Sequence, residues 1–455
     1  MENLEEQLLE HVTHVGFDDL PKEVVETCKL FVMDSLGVTF PGSRAPGCPE
    51  VVDLARAFGA GEGSTILVYG HRAPPPLATL ANSTMMHALD FDDTLDASAL
   101  HTFVNVLPAA LSTADFIGRV DGRTLITALV LGVDVICRLS YGIRRPLSWI
   151  RTATCGSFGA AATAGKILGL DHAGLRNALG VVYSQTAGNA QGLVEGRLVK
   201  RMQPGFASQA GVTSAFLARA GITGSHRFLL GPYGFYNLYE RGEVDQEPVL
   251  RGLGEHYTVL DLSMKPYPCC RMTHASIDAA LQIRKEMTGR AADVERVRVE
   301  VPKMVAEMVG KPFALGTDPQ VDAQFSIPYT VSVALQRGDL FLEDFEVHRI
   351  KEDHINALAA RVEVIPRPDL PEKDITHARI SAQFTRGKVH TAEIKAPLGN
   401  PDNPLDLEKC RDKFRRCLLH SGADFDDRRA RDLLHMVEHL EDLQDVRDLL
   451  LLMRS

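Results

Sequence analysis

The 455-residue chain has no excess of positive charge: 49 lysines and arginines face 59 aspartates and glutamates, a formal net charge of −10. A general phosphate-backbone binder needs cations whose pairing releases counterions, so nucleic acid is excluded as the main partner. A small anion is not excluded, because a few lysines and histidines can reverse the field inside one pocket. The chain also lacks metal and redox cysteine spacings. Its eight cysteines are scattered, and the one close pair, Cys269 and Cys270, is adjacent rather than C-x-x-C. Reduced thiols in a cytoplasmic protein are the expectation. The N-terminal stretch MENLEEQLLEHV is acidic and amphipathic, with no basic region followed by an apolar one. No uncharged apolar run reaches the roughly 18 residues of a spanning helix, so no membrane partner is expected. Internal repeats and low-complexity tracts are absent as well.

What is present describes a folded protein, with 45% hydrophobic and 24% charged residues and length enough for two or three domains. The first part reads as helix almost throughout. In LPKEVVETCKLFVMDSLGVTF, Val24, Val25, Cys28, Leu30, Phe31 and Leu36 fall near helical spacing after a proline. GRTLITALVLGVDVICRLSYGI is apolar nearly all round and predicts an interior helix. TCGSFGAAATAGKILGL carries Gly156, Gly159, Ala160, Ala164 and Gly165, small enough to admit a neighbouring helix closely. β-alternation begins only near residue 290, in VERVRVEV, ARVEVI, ARISAQFT and VHTAEIKA, the last two joined by a hairpin turn at Gly387. The pattern predicts a mostly α protein. A large all-helical domain, residues 1–262 and 400–455, would carry an inserted, smaller α+β domain at 263–399 with an antiparallel sheet.

Three stretches carry enough chemistry to be candidate sites. HALDFDDTLDASALHTF, residues 87–103, packs four aspartates, two histidines and two threonines beside apolar, alanine-rich chain. On a helix, Asp90 and Thr94 would share a face with His87, while Asp92 and Asp93 would point elsewhere. Pro108 would then mark the first turn of the next helix. One reading makes the aspartates caps and solvated faces; the other makes the stretch an acid/base site with His101. A cation site is the third, without the D-x-D-x-D-G or H-x-x-x-H spacing that would support it. In EGRLVKRMQPGFASQAG, Lys200 lies in a loop-like segment before a small-residue helix beginning near Gly205, a plausible carboxylate clamp or an exposed basic turn. MKPYPCCRMTHAS gathers Lys265, Tyr267, Arg271 and His274 where the helical and α+β parts meet, as a ligand site or a stiff linker. Tyr329 follows in AQFSIPYTV.

Other motifs fail. HMVEH, His435 to His439, has the H-x-x-E-H form of inverted zinc peptidases, but little chain remains for a third ligand. CGSFG has Cys155 where a nucleophile elbow needs glycine, and GAGEGS is not followed by K-[ST], so no nucleotide loop is present.

Taken in order, these stretches resemble the MmgE/PrpD family of 2-methylcitrate dehydratases, cis-aconitate decarboxylases and iminodisuccinate epimerases. FDDLPKEVVETCKLFVMDSLGV, HALDFDDT with His101 following, TCGSFGAAATAGKILGLD, VKRMQPGFASQAGVTSAFLA, KPYPCCRMTHASIDA and FSIPYTVSVAL carry the resemblance. It implies a homodimer in which an α+β lid covers a site needing neither metal nor cofactor. Asp90, Thr94, His101, Lys200, Lys265 and Tyr329 match positions lining the family's site. The catalytic set implied is Asp90, His101, Lys200, Lys265 and Tyr329; the residues expected to bind substrate are Thr94, Arg151, Gln203, Tyr267 and His274. The chain departs from the family in SWIRTATCG, where Ile150 and Arg151 stand in place of the His-Pro of decarboxylases and dehydratases. The expected activity is lyase chemistry on a small di- or tricarboxylate. Epimerisation of a dicarboxylate is the alternative, and a non-catalytic scaffold the third reading.

Overall fold

The computed structural model describes residues 4–59, 61–145, 149–287, 290–371, 374–385, 387–423 and 425–454. Chain contacts divide the protein into two units, Met1–Leu262 with Asp406–Ser455, and Ser263–Leu405. The helices of ten residues or more are α1 (Leu4–His14), α2 (Lys22–Gly42), α3 (Cys48–Phe58), α4 (Pro75–His87), α5 (Phe103–Ile117), α6 (Gly122–Tyr141), α7 (Arg151–Ile167), α8 (His172–Tyr183), α9 (Val199–Arg219), α10 (His274–Glu286), α11 (Ile327–Arg337), α12 (Leu407–Ser421) and α13 (Asp427–Glu438). The strands are β1 (Ser64–Thr65), β2 (Arg72–Ala73), β3 (Val294–Pro302), β4 (Val362–Arg367), β5 (Ala378–Phe384) and β6 (Val389–Ile394).

Among the described residues the named elements of the first unit are helical apart from the two-residue strands β1 and β2, which pair antiparallel and are too short for alternation to reveal. The small-residue helix α7 packs on α5, α6 and α9. A Cβ on Gly159 would lie 2.2 Å from Ile136 of α6, and one on Gly156 would lie 2.2 Å from the Asn105 side chain of α5. Neither contact tolerates a larger residue. Among the described residues α6 alone is long and apolar enough to cross a membrane, and 89% of its apolar window is buried. It is a core helix whose two inner charges, Asp134 and Arg138, pair with each other. Helix α5 starts at Phe103, five residues before the expected Pro108. Pro108 has no N–H for the Val104 carbonyl, and that oxygen instead accepts the Ser83 hydroxyl of α4 at 2.6 Å.

In the second unit the sheet order is β4-β3-β5-β6. β5 runs antiparallel to both β3 and β6, and the expected turn places Gly387 at φ 72°. The edge pair differs from the expected antiparallel sheet: β3 and β4 are parallel, with Val297 opposite Val362. Alternation reports which side chains face inward and is blind to strand direction. Residues 303–361, which include α11, form the crossover that a parallel pair requires. Val294, Val297, Val299, Ile380 and Ala382 point into the core, and α10 packs on β5 and β6. The turn after β6 belongs to this unit, since the Met264 N–H donates to Gly399 O at 2.8 Å.

Candidate active site

Helix α4 stops at His87 and α5 begins at Phe103; residues 88–102 between them form a loop. The expected helix through Asp90 and Thr94 is therefore absent. Asp90 has φ 55°, a left-handed conformation that ends a helix and that aspartate tolerates better than most residues. Asp93 explains what the chain gains instead. Its carboxylate accepts the Thr102 N–H and hydroxyl, both at 2.8 Å, and the Phe103 N–H at 3.0 Å. Those bonds cap α5, an alternative to helix that short polar side chains favour.

Each carboxylate near the loop has its own partner. Asp90 accepts the Lys200 ammonium at 2.7 Å. Asp92 Oδ2 lies 2.8 Å from His87 Nδ1 and 3.0 Å from His101 Nδ1. Asp34 of α2 pairs with Lys413 of α12, whose ammonium also donates to Phe91 O at 2.9 Å and lies over the Phe91 ring. Burial alone would raise Asp92, but the imidazoles of His101 and His87 outweigh it and hold the carboxyl well below its usual range. Burial pushes the His87 imidazole down to about 4, against the attraction of Asp92. Asp93 is raised by burial and by the adjacent Asp92 charge. Burial likewise lifts Asp34 to about 6, with Lys413 opposing.

His101 is held from three sides. Its N–H donates to Thr152 Oγ1 at 3.1 Å, its Nδ1 lies 2.5 Å from Asp93 O, and its ring meets that of His87 edge-on at 4.8 Å. A main-chain carbonyl and a carboxylate around Nδ1 both demand a proton there. In the neutral ring Nε2 would then carry the lone pair, and it has no partner among the described residues. The side chain is 14% exposed, whereas Asp92 is fully buried. Two buried oxygens of the same loop, Asp92 Oδ1 and Thr94 Oγ1, have no hydrogen-bond partner among the described residues.

Lys200 is the second residue of α9, not part of a loop, because that helix starts six residues before Gly205 and runs through Pro204. The other expected site residues have different company. Gln203 donates to Asn189 O at 2.9 Å and accepts the Asn189 N–H at 2.7 Å, pinning that segment to α9. The Arg151 guanidinium donates to the main-chain oxygens of Arg145 at 2.7 Å and Ser98 at 3.4 Å. In the second unit, Lys265 is buried, Tyr267 donates its hydroxyl to Asp278 at 2.6 Å, and His274 lies between the Arg271 guanidinium and Cys269 O, each at 3.3 Å. Tyr329 is fully buried and donates to Asp344 O. In this arrangement Gln203, Arg151, Tyr267, His274 and Tyr329 all bond to their own unit's framework.

Lys413 went unnoticed in the sequence, and His87 and Asp92, though part of the candidate stretch, were given no catalytic or binding role. Lys413 did leave a signal. It falls with Cys410, Phe414 and Cys417 on the buried stripe of α12, where a lysine needs a partner. Among the described residues, His87, Asp92 and His101 form the group whose donor atoms, all within 4.8 Å of one another, could share a metal ion. The spacing argues for hydrogen bonds instead. Ligands on one tetrahedral zinc, with bonds of about 2.0–2.1 Å, stand roughly 3.3 Å apart; Asp92 Oδ2 is nearer than that to both nitrogens. HMVEH contributes no such group: Glu438 pairs with Arg411.

The fold and this cluster define a class, a protein of one helical and one α+β unit whose helical part holds a candidate proton-transfer site. The chain belongs to the MmgE/PrpD family: residues 6–247 match the MmgE/PrpD N-terminal domain and residues 267–439 the MmgE/PrpD C-terminal domain. It is 24% identical to the cis-aconitate decarboxylase of Aspergillus terreus, over 96% of this chain and 93% of that one. The human cis-aconitate decarboxylase is 27% identical, over 94% and 89%. A 2-methylcitrate dehydratase from Cupriavidus necator is 22% identical over 86% of each chain.

Proposed function

We propose that the protein is a cofactor-independent lyase acting on a small di- or tricarboxylate, of the size of cis-aconitate or 2-methylcitrate, by moving a proton at a carbon next to a carboxylate. The observation that carries this reading is His101, whose Nδ1 faces two acceptors so that Nε2 is left to take a proton. Its neighbour in the cluster is the Lys200–Asp90 pair, 2.7 Å long and only partly buried. In dehydration, Nε2 removes the proton, the electron pair forms the alkene, and hydroxide departs. In decarboxylation, carbon dioxide leaves, the carbon–carbon bond electrons remain on carbon, and His101, having first taken a proton from water at Nε2, delivers it to that carbon. Both routes build negative charge next to a carboxylate, which the Lys200 ammonium offsets. Asp90 holds that ammonium in place before substrate arrives. The carboxylate substrates named for the relatives support the substrate class.

A second reading, epimerisation of a dicarboxylate, is favoured by Ile150. This residue leads into α7 two positions before Thr152, the hydroxyl that holds His101. An aliphatic side chain there removes the imidazole that decarboxylase and dehydratase relatives carry, and epimerisation needs no leaving group to be protonated. Proton NMR of the protein with a panel of carboxylates in deuterated water separates the two. Alkene signals or loss of carbon dioxide with consumption of substrate mean lyase chemistry; deuterium uptake at the α-carbon without net loss means epimerisation. No change in any of the carboxylates would reject both.

A further inference from the structure

We infer that Asp92 and His87 are positioning residues for His101, and that the Asp93 main-chain oxygen selects which ring nitrogen does the chemistry. The inference deepens the proposed function and rests on His101 being its acid/base group. Two imidazoles converge through Nδ1 on one carboxylate oxygen, at 2.8 Å and 3.0 Å. The two rings are not equivalent. His87 is buried and closes the rear of the cluster, whereas His101 keeps an exposed edge. Asp93 O, 2.5 Å from His101 Nδ1, is a fixed acceptor that cannot rotate away. It demands Nδ1–H and orients the ring.

Asp92 adds what a carbonyl lacks, a full negative charge within 3.0 Å of the ring that becomes an imidazolium when Nε2 accepts a proton. His87 donates to that carboxylate and keeps Oδ2 turned toward His101. The same sequence run thus supplies all four parts, but only through loop geometry: Asp92 bridges two rings with its side chain, while Asp93 orients one of them with its main chain and caps α5 with its carboxylate.

The test has one arm that needs no substrate. Nitrogen-15 NMR of histidine-labelled protein, with the His101 signal assigned by its loss in His101→Gln, should show neutral His101 as the Nδ1–H tautomer. The Nε2–H tautomer would overturn the inference. Asp92→Asn removes the charge and offers an amide N–H to the ring, so it should lower kcat by about 10²-fold or more with KM changed only several-fold. His87→Gln keeps a donor toward Asp92 and should retain kcat within about tenfold, whereas His87→Ala should fall well below it. Equal losses in both His87 variants, or unchanged kcat in Asp92→Asn, would reduce the cluster to packing. Zinc or manganese binding one-to-one by calorimetry, lost in Asp92→Asn, would overturn the hydrogen-bonded reading for a metal site. The predicted tautomer in a protein that converts no carboxylate would uphold the positioning and reject the lyase reading instead.

Discussion

The helical unit contains two buried aspartates that meet histidine, and they are built to different ends. Asp134 is finished. Its Oδ1 accepts the Thr258 N–H and hydroxyl at 2.6 Å and 2.7 Å, and its Oδ2 meets His11 at 2.9 Å and Arg138 at 3.5 Å. Arg138 in turn donates to the main-chain oxygens of residues 249, 251, 252 and 256, so the network ties residues 249–258 to α6. Asp92 is unfinished. One oxygen serves two imidazoles, the other has no partner among the described residues, and one of the imidazoles is partly exposed. A saturated buried network specifies structure, whereas an incomplete one retains free energy for a ligand or a proton.

The largest effect expected from this contrast is kinetic. His101→Gln should cut turnover by roughly 10²- to 10⁴-fold with little change in melting temperature; normal turnover would strip the open cluster of its role. Asp134→Ala should do the reverse. Removing one member of a saturated ionic network strands Arg138 and His11, at a cost of about 3–5 kcal/mol in urea unfolding. The kcat per folded molecule should stay within about twofold, and a specific kinetic defect there would erase the distinction drawn here.

A smaller effect concerns pH. The folded-state pKa of His87, about 4, lies below the ordinary value of 6.5, so the folded protein refuses a proton that the unfolded chain accepts. The stability His87 contributes is therefore complete above pH 6.5 and is lost as pH falls toward 4, on the order of 3 kcal/mol. Urea melts of wild type and His87→Gln between pH 7 and 4.5 should show the difference between them changing across that window. A constant difference would mean that His87 is not held neutral. The smallest effect is expected at Arg151, whose guanidinium serves main-chain oxygens. Arg151→Ala should shift KM by less than about threefold; a tenfold rise would make it a substrate ligand after all.

Much of this arrangement was legible in the linear chain, and the parts that were not share a cause. The stretch from His87 to Phe103 stood out because so many charges beside apolar chain demand partners. Spacing rules describe regular elements and so suggest a helix through Asp90 and Thr94, whereas Asp93 caps α5 rather than extending α4. Asp92 and Asp93 are identical neighbours, and nothing in their order distinguishes the bridge between imidazoles from the helix cap. MKPYPCCRMTHAS was equally conspicuous, yet Tyr267, Arg271 and His274 turn out to bond to Asp278, Leu398 and Cys269. Density of polar groups marks where a network is, not which partners each group takes.

By itself the sequence determined the division into helical and α+β regions, the inward faces of the strands, the close packing of α7 and the chemical inventory of the loop. Each follows from periodicity, residue size or composition, which are local properties. The parallel pairing of β3 with β4, the left-handed turn at Asp90 and the two acceptors around His101 Nδ1 were decided by tertiary structure. Lys200 reaches Asp90 from 110 residues away, and Lys413 reaches Phe91 O from 322. A hydrogen-bonded charge takes its state from whichever groups surround it in space, and only the folded chain brings those groups together.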